Sequence, residues 1–384
     1  MATTIVSGVR YSGIWTLAQV NAAISAGTWT GLPQLWSWGN NGSGKLGLGN
    51  VTNYSSPKQV GAGTSWSLSF PGVGLQARTL IKPDNTLWAW GSNASGTLGL
   101  GDTTNRSSPV QVGALTNWLA IACSVYSVGA VKTDGTLWTW GDNYDGKLGN
   151  GNTTSYSSPI QVGALTTWSK ISASNFMAAI KTDGTLWSWG SNNFGQLAQG
   201  NTTNRSSPVQ VGALTNWSDV SCSAYFALAT KTDGTLWAWG DNSNGSLAQG
   251  NTTNRSSPVQ VGALTTWLTI ASGYSLAAAV IKTDGSLWAW GSNSNGKLGL
   301  GDITNRSSPV QVGSLTTWLN VANGYQHTLA TKTDGTLWAW GANADGQLGL
   351  GNLTSYSSPK QVGSLTGWIR VSGGQYFSSA TKNS

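Results

Sequence analysis

One pentapeptide governs what this chain can become. Leu-Trp-x-Trp-Gly occurs at Leu35–Gly39, Leu87–Gly91, Leu137–Gly141, Leu186–Gly190, Leu236–Gly240, Leu287–Gly291 and Leu337–Gly341. Between successive second tryptophans the steps are 52, 50, 49, 50, 51 and 50 residues. A fixed period of that size means a solenoid, an array or a propeller. Within the pentapeptide, strand alternation sends the two tryptophans to one face and Leu with Ala, Ser or Thr to the other. Both faces are apolar, so the strand must be covered on both sides.

Each unit then continues the same way. A Gly/Asn-rich loop follows, as in 91–108, anchored by Leu98 and Leu100. Next comes Ser-Ser-Pro-x-Gln-Val-Gly, whose proline belongs at a strand start or an edge strand because it lacks a ladder donor. Leu-Thr-x-Trp, two short apolar strands and Lys-Thr-Asp-Gly-Thr complete the unit, with Asp-Gly read as a two-residue hairpin. Seven units of four strands give an all-β, closed seven-bladed β-propeller. The chain enters at the Trp-Trp strand and ends in a segment, Trp368–Lys382, that matches Trp318–Lys332. Phe377–Lys382 is therefore expected to pair beside Leu35–Gly39 and close the ring, removing exposed edges. The expected division is a propeller over 34–384 and a short N-terminal arm over 1–33. The arm carries a candidate helix over Trp15–Ser25, capped by Ser12 and stopped by Gly27.

The tryptophans close their own count. Two per unit, one more in each Leu-Thr-x-Trp position from Trp66 to Trp368, and Trp15 and Trp29 make up all 23. Each buried indole contributes about 1.5–3 kcal/mol. The 21 repeated ones are expected to be blade-to-blade core.

Here the residues resemble the regulator of chromosome condensation repeat family. The match is Lys-Thr-Asp-Gly-Thr-Leu-Trp-Ala-Trp-Gly-x-Asn-x-x-Gly-x-Leu-Gly-Leu-Gly, at 332–351, and the pattern runs over 35–382. The resemblance implies a seven-bladed propeller. Its namesake is an exchange factor for the small GTPase Ran and binds nucleosomes; another class of members inhibits β-lactamases with one propeller face. The family's Gly-x-x-His element is kept once, at Gly324–His327, while Ser127, Phe226 and Phe377 take the place elsewhere.

Composition narrows the function. Charged residues make up 9% of the chain, and all 13 acids are aspartate, against roughly 25% charged in ordinary domains. The net charge of +7 is mild for 384 residues, and no basic face argues for nucleic acid. No apolar run reaches the ~18 residues of a membrane helix. The opening Met-Ala-Thr-Thr-Ile-Val-Ser does not read as a secretory leader. Cys123 and Cys222 stand in non-adjacent units, too far apart for a disulfide, and read as small buried residues. No paired carboxylates, catalytic triad or Cys/His metal spacing stands out, and the Asp142–Gly146 loop has the wrong ligand spacing for calcium. The chain is therefore expected to be non-enzymatic, with no cofactor and no metal.

One ring of positions varies. Two residues before Ser-Pro stand Tyr54, Arg106, Tyr156, Arg205, Arg255, Arg306 and Tyr356, types favoured at interfaces. On a common rim they form a crown suited to an acidic or glycan surface, or simply pack on their own blades. Asn150, Gln199 and Gln249 replace the loop-end Leu of other units. The near-identical blades suit multivalent contact or scaffolding. The leading expectation is a structural or adhesive propeller of a virion, made in the cytoplasm and attached to other subunits of an assembly through its arm. The alternatives are a cellular protein-binding propeller of the exchange-factor or chromatin-adaptor type, cytoplasmic in setting, and a secreted inhibitor or sugar-binding propeller.

Overall fold

The computed structural model describes residues 33–61, 66, 74, 76–274 and 276–383. The strands form seven antiparallel sheets, six of four strands and one whose described residues give three. In blade 3 the order is Trp118–Cys123, Ser127–Lys132, Leu137–Gly141 and Tyr156–Gln161, each paired with the next. The first strand of a blade lies against the first and second strands of its neighbour. First strands therefore surround the axis and fourth strands form the perimeter. Burial follows: the second strand Ser127–Lys132 is buried throughout, while Tyr156–Gln161 is half-exposed. Pro159 sits in that outer edge strand, where a missing donor leaves no ladder bond unmade.

The ring closes as expected. Blade 1 combines Trp368–Gly373 and Phe377–Lys382 with Gln34–Gly39 and Tyr54–Gln59. The latch runs in register from Gln34 opposite Lys382 to Gly39 opposite Phe377. The arm expected over 1–33 and its helix over 15–25 lie outside the described residues, Pro33 excepted.

Seven apolar seams hold the wedges together. At one, Leu87, Ala89, Leu98 and Val112 of blade 2 meet Trp118, Ile121, Val128 and Trp140 of blade 3. At the closing seam Leu337, Ala339 and Leu348 of blade 7 meet Trp38, Trp368 and Val371 of blade 1. The Leu/Ala face of each third strand thus receives the tryptophan face of the next blade. Each second tryptophan also donates its indole N–H to a backbone carbonyl of the preceding blade: Trp38 to Gln347, Trp140 to Thr97 and Trp340 to Lys297, all at 2.9 Å. The loop must pass close under the indole. Gly99, at φ +72°, has room for no Cβ, which would stand 2.8 Å from Trp140 Nε1.

Two expectations need correction. The first tryptophan of each pair packs against its seam but is only half-buried. In the six blades other than that of Trp36 it lies at the hairpin end of its strand and is capped by a lysine: Lys132 Nζ stands 3.6 Å from the Trp138 ring centre. Its indole N–H donates to Thr136 Oγ1, which donates to Asp134 Oδ1. Cation–π attraction and a local clip replace full burial. The hairpin is also not a two-residue turn. Gly135 N–H reaches the Lys132 carbonyl and Lys132 N–H the Thr136 carbonyl, leaving Thr133, Asp134 and Gly135 as the loop. Only Gly135 has positive φ, at +76°, whereas a type I′ turn needs two such residues.

Candidate docking face

Antiparallel order puts the first-to-second and third-to-fourth loops of every blade at one end, here termed the upper face. The Thr-Asp-Gly hairpins and Gly-x-Leu-Thr links lie at the other, the lower face. The upper loops are rigidly built. Asn93, wholly buried, accepts from Leu98 N–H and donates to the Asp102 carbonyl, and its own N–H is held by Asn105 Oδ1. The same clamp recurs at Asn192, Asn242, Asn293 and Asn343. A docking surface on such loops is pre-formed, which lowers the ordering cost of binding.

The structure places all seven crown residues at the start of the outer strand, opposite the Gly that ends the third strand. They form a ring on the upper rim, each half-buried. Their surroundings differ. Arg106 pairs with Asp102 at 2.6 Å and Arg306 with Asp302 at 2.5 Å. The Thr104 N–H, and then Arg106, hold the Asp102 carboxyl below the usual carboxylate range. Arg205 and Arg255 have no ion pair among the described residues. Tyr54 lies beneath Lys58 and Tyr356 beneath Lys360, at 5.5 and 5.4 Å.

A second group on this face has no counterpart in the sequence reading. Tyr225, Tyr274, Tyr325 and Tyr376, from the first-to-second loops of four consecutive blades, follow one another around the axis in tilted and T-shaped contacts with centroids 6.5, 5.8 and 6.2 Å apart. Phe194 extends the arc, 5.1 Å from Tyr225. Tyr274 donates its hydroxyl to Asn175 two blades away, at 3.3 Å. Burial raises the Tyr274 pKa, and Tyr225, Tyr325 and Tyr126 act in the same direction. Gln76 and Gln375 meet at 2.7 Å across blades 2 and 1. None of these described loop residues around the axis is charged.

The lower face is different in kind. Leu115, Leu165, Leu214, Leu264, Leu315 and Leu365 recur there, each about half exposed. Beside them are the hairpin aspartates, such as Asp134 and Asp233, each held below the usual range first by the Thr side-chain hydroxyl two residues on.

Chemistry-bearing groups elsewhere are spent on structure. His327 is wholly buried, and burial pushes its pKa down to about 3. Ser378 Oγ gives its hydrogen to the Gln347 carbonyl, so His327 Nε2 is the donor in its 2.8 Å contact with Ser378. Cys123 and Cys222 are free and buried, with burial pushing their thiols up to about 11 and about 12. Asp142 of the calcium-like loop pairs with Lys147 at 2.6 Å. Among the described residues no group of three His, Cys, Asp or Glu could hold a metal, and no helix is long and apolar enough to cross a membrane.

Comparison with known proteins agrees with this architecture. The model of the RCC1-like domain matches residues 85–330, and that of the regulator of chromosome condensation repeat matches 34–67 and 334–381. The ultraviolet-B receptor UVR8 of Arabidopsis thaliana is 33% identical over 79 residues, 21% of this chain and 18% of the receptor. Protein RCC2 of Mus musculus is 31% identical over 80 residues, 21% of this chain and 15% of that protein. The matched stretch thus spans less than a fifth of either relative. Among solved structures, Prp20p of Saccharomyces cerevisiae superposes with a TM-score of 0.80 at 18% identity over 92% of both chains. Human WBSCR16 gives 0.81 at 19% identity, over 92% of this chain and 99% of that one. At such identities the superpositions speak for the fold alone. With one family model covering well over half of its length, the chain belongs to the RCC1-like family of regulator of chromosome condensation repeats.

Proposed function

We propose that this chain is a non-catalytic protein-docking propeller that works through its upper face. One observation carries the reading: all nine described tyrosines lie on that face, five around the axis, three in the crown and Tyr144 on a loop tip. Tyr144 is 81% exposed. Tyrosine offers a large, stiff contact with a polar tip, and it concentrates with arginine at the energetic centres of interfaces. The four crown arginines share the face; the lower face carries the half-exposed leucines of the Gly-x-Leu-Thr links and the hairpin aspartates. The structure of Prp20p was described together with binding of that protein to Gsp1p and histones. A protein partner is the natural extension to this chain.

A cellular, cytoplasmic setting takes precedence over the virion role expected from composition. The relatives named above are plant, animal and yeast proteins, and the virion reading rests on surface composition with an arm outside the described residues. A role for that arm in attachment is a separate proposal, tested by truncation at residue 33.

The test is affinity capture from the source organism with wild type and two variants. Partners found by mass spectrometry are then titrated as purified proteins. Tyr225→Ala/Tyr325→Ala/Tyr376→Ala should lose them, and Leu214→Ser/Leu264→Ser should keep them. The reverse pattern would assign the work to the lower face and end the reading.

A further inference from the structure

We propose that Arg205 and Arg255 are the docking site for an acidic peptide segment of the partner, and that Arg106 and Arg306, at equivalent positions, take no part. This rests on the docking reading above and refines it to one sector of the ring.

The four arginines occupy the same place in blades 2, 4, 5 and 6, each opposite the Gly that ends the third strand. What differs stands four residues earlier. In blades 2 and 6 it is Asp102 and Asp302; in blades 4 and 5 it is Asn201 and Asn251. Both types do the same structural job. Asp102 Oδ1 accepts from Thr104 N–H at 2.8 Å, and Asn201 and Asn251 Oδ1 accept from Thr203 and Thr253 N–H at 3.0 Å. The turn is kept and the charge is not. Two guanidiniums are therefore neutralised by their own loops, and two bring their full charge to the rim. The guanidiniums of Arg205 and Arg255 also have no hydrogen bond among the described residues. Half-buried, they would meet an anion in reduced dielectric, and each presents the planar fork that fits a carboxylate.

The two uncommitted arginines are on adjacent blades, and those blades differ together in other ways. Both carry Leu-Ala-Gln-Gly-Asn where blades 2 and 6 carry Leu-Gly-Leu-Gly-Asp. Ala198 and Ala248 are held at φ +57° and +58°, in the left-handed region, where a residue with a Cβ is strained. Backbone strain of this kind concentrates at working sites. The same pair of blades supplies the Phe194–Tyr225 ring contact, with Phe194 36% exposed. Two cations and an aromatic pair whose Phe194 is exposed fit a segment with carboxylates flanking an apolar side chain. Two acids stand in the sector: Asp145, which accepts from Asn204 Nδ2 at 3.1 Å, and the buried Asp241, next to the Gly240 opposite Arg255, which accepts from Ser243; among the described residues neither is paired with Arg205 or Arg255.

The experiment is fluorescence anisotropy with a labelled Glu-Asp-Glu-Phe-Glu-Asp-Glu peptide, at low and physiological salt. Arg205→Ala/Arg255→Ala should weaken binding about tenfold for each arginine removed. Arg106→Ala/Arg306→Ala should leave it within about twofold. Asp102→Asn/Asp302→Asn, which copies the loops of blades 4 and 5, should free two more arginines and strengthen binding. Unfolding midpoints of all variants check that the ring is intact. Equal effects of the two arginine pairs, no saturable binding by wild type, or no gain from the asparagine variant would overturn the proposal. So would a heparin oligosaccharide that depends on Arg205 and Arg255 when the peptide does not. If the tyrosine variants still abolish partner capture while this experiment fails, the docking reading stands and only the arginine assignment falls.

Discussion

Replacing His327 with Phe should remove a pH dependence from the stability of the ring. His327 starts the second strand of blade 7, at the place where Phe176, Phe226 and Phe377 stand fully buried in other blades. The pocket therefore accepts an aromatic ring of that size. Burial lowers the histidine's pKa from 6.5 to about 3, so the folded chain holds it neutral. This is a base whose folded value is depressed: its contribution is present above the unfolded pKa and is lost as pH falls from about 6.5 toward about 3. From the two values, the unfolded state gains roughly 2 kcal/mol by protonation at pH 5 and almost nothing at pH 7. Other groups, the hairpin aspartates included, contribute equally to wild type and variant and cancel. His327→Phe loses the bond to Ser378 but leaves Ser378 its donor bond to Gln347, so at pH 7 the cost should be about 1 kcal/mol. Urea unfolding at pH 7 and pH 5, followed by tryptophan fluorescence, gives both differences. Wild type should lose about 2 kcal/mol more than the variant on acidification. Parallel losses in the two proteins would refute the assignment of a neutral buried imidazole.

Three further outcomes follow from the seams and loops. Gly99→Ala forces a Cβ at φ +72° to within 2.8 Å of Trp140 Nε1 and should destabilise by about 2 kcal/mol in a thermal melt. Asn293→Ala orphans the Leu298 N–H and the Asp302 carbonyl and should cost about 2–4 kcal/mol, with faster amide exchange confined first to 291–306. Deleting Phe377–Ser384 removes the strand between Trp368–Gly373 and Gln34–Gly39, and size-exclusion chromatography should show association through the freed edges. A monomeric, native-like elution would contradict the latch.

How much of this was legible depends on whether a feature repeats. The period of the tryptophans gave blade number and closure, because each copy makes the same contact with its neighbour. Cys123 and Cys222 proved buried and unpaired for the reason their spacing suggested. The capped first tryptophans were not legible, since alternation along a strand does not say which end the next blade covers. The tyrosine arc was hidden for a different reason. Tyr225, Tyr274, Tyr325 and Tyr376 do follow the blade period, in steps of 49, 51 and 51 residues, but the residues around them differ from loop to loop and no motif marks the place. They meet only because seven loops converge on one axis. Arg78 was missed too; it crosses the blade 1–2 seam to Ser372 at 2.9 Å and lies 5.2 Å from the Phe377 ring centre. By contrast, the division of the crown was written in the sequence. Asp102 and Asp302 stand one helical-style step of four from their arginines, but only the folded loop shows that the pair closes.

The most direct test of the upper face as the working surface is hydrogen exchange with a captured partner bound. Protection should appear in the loops at 124–126, 223–225 and 374–376 and in the third-to-fourth loops of blades 4 and 5. Protection confined to the Gly-x-Leu-Thr links at 113–116, 212–215 and 262–265 would place the partner on the leucine side and contradict the assignment.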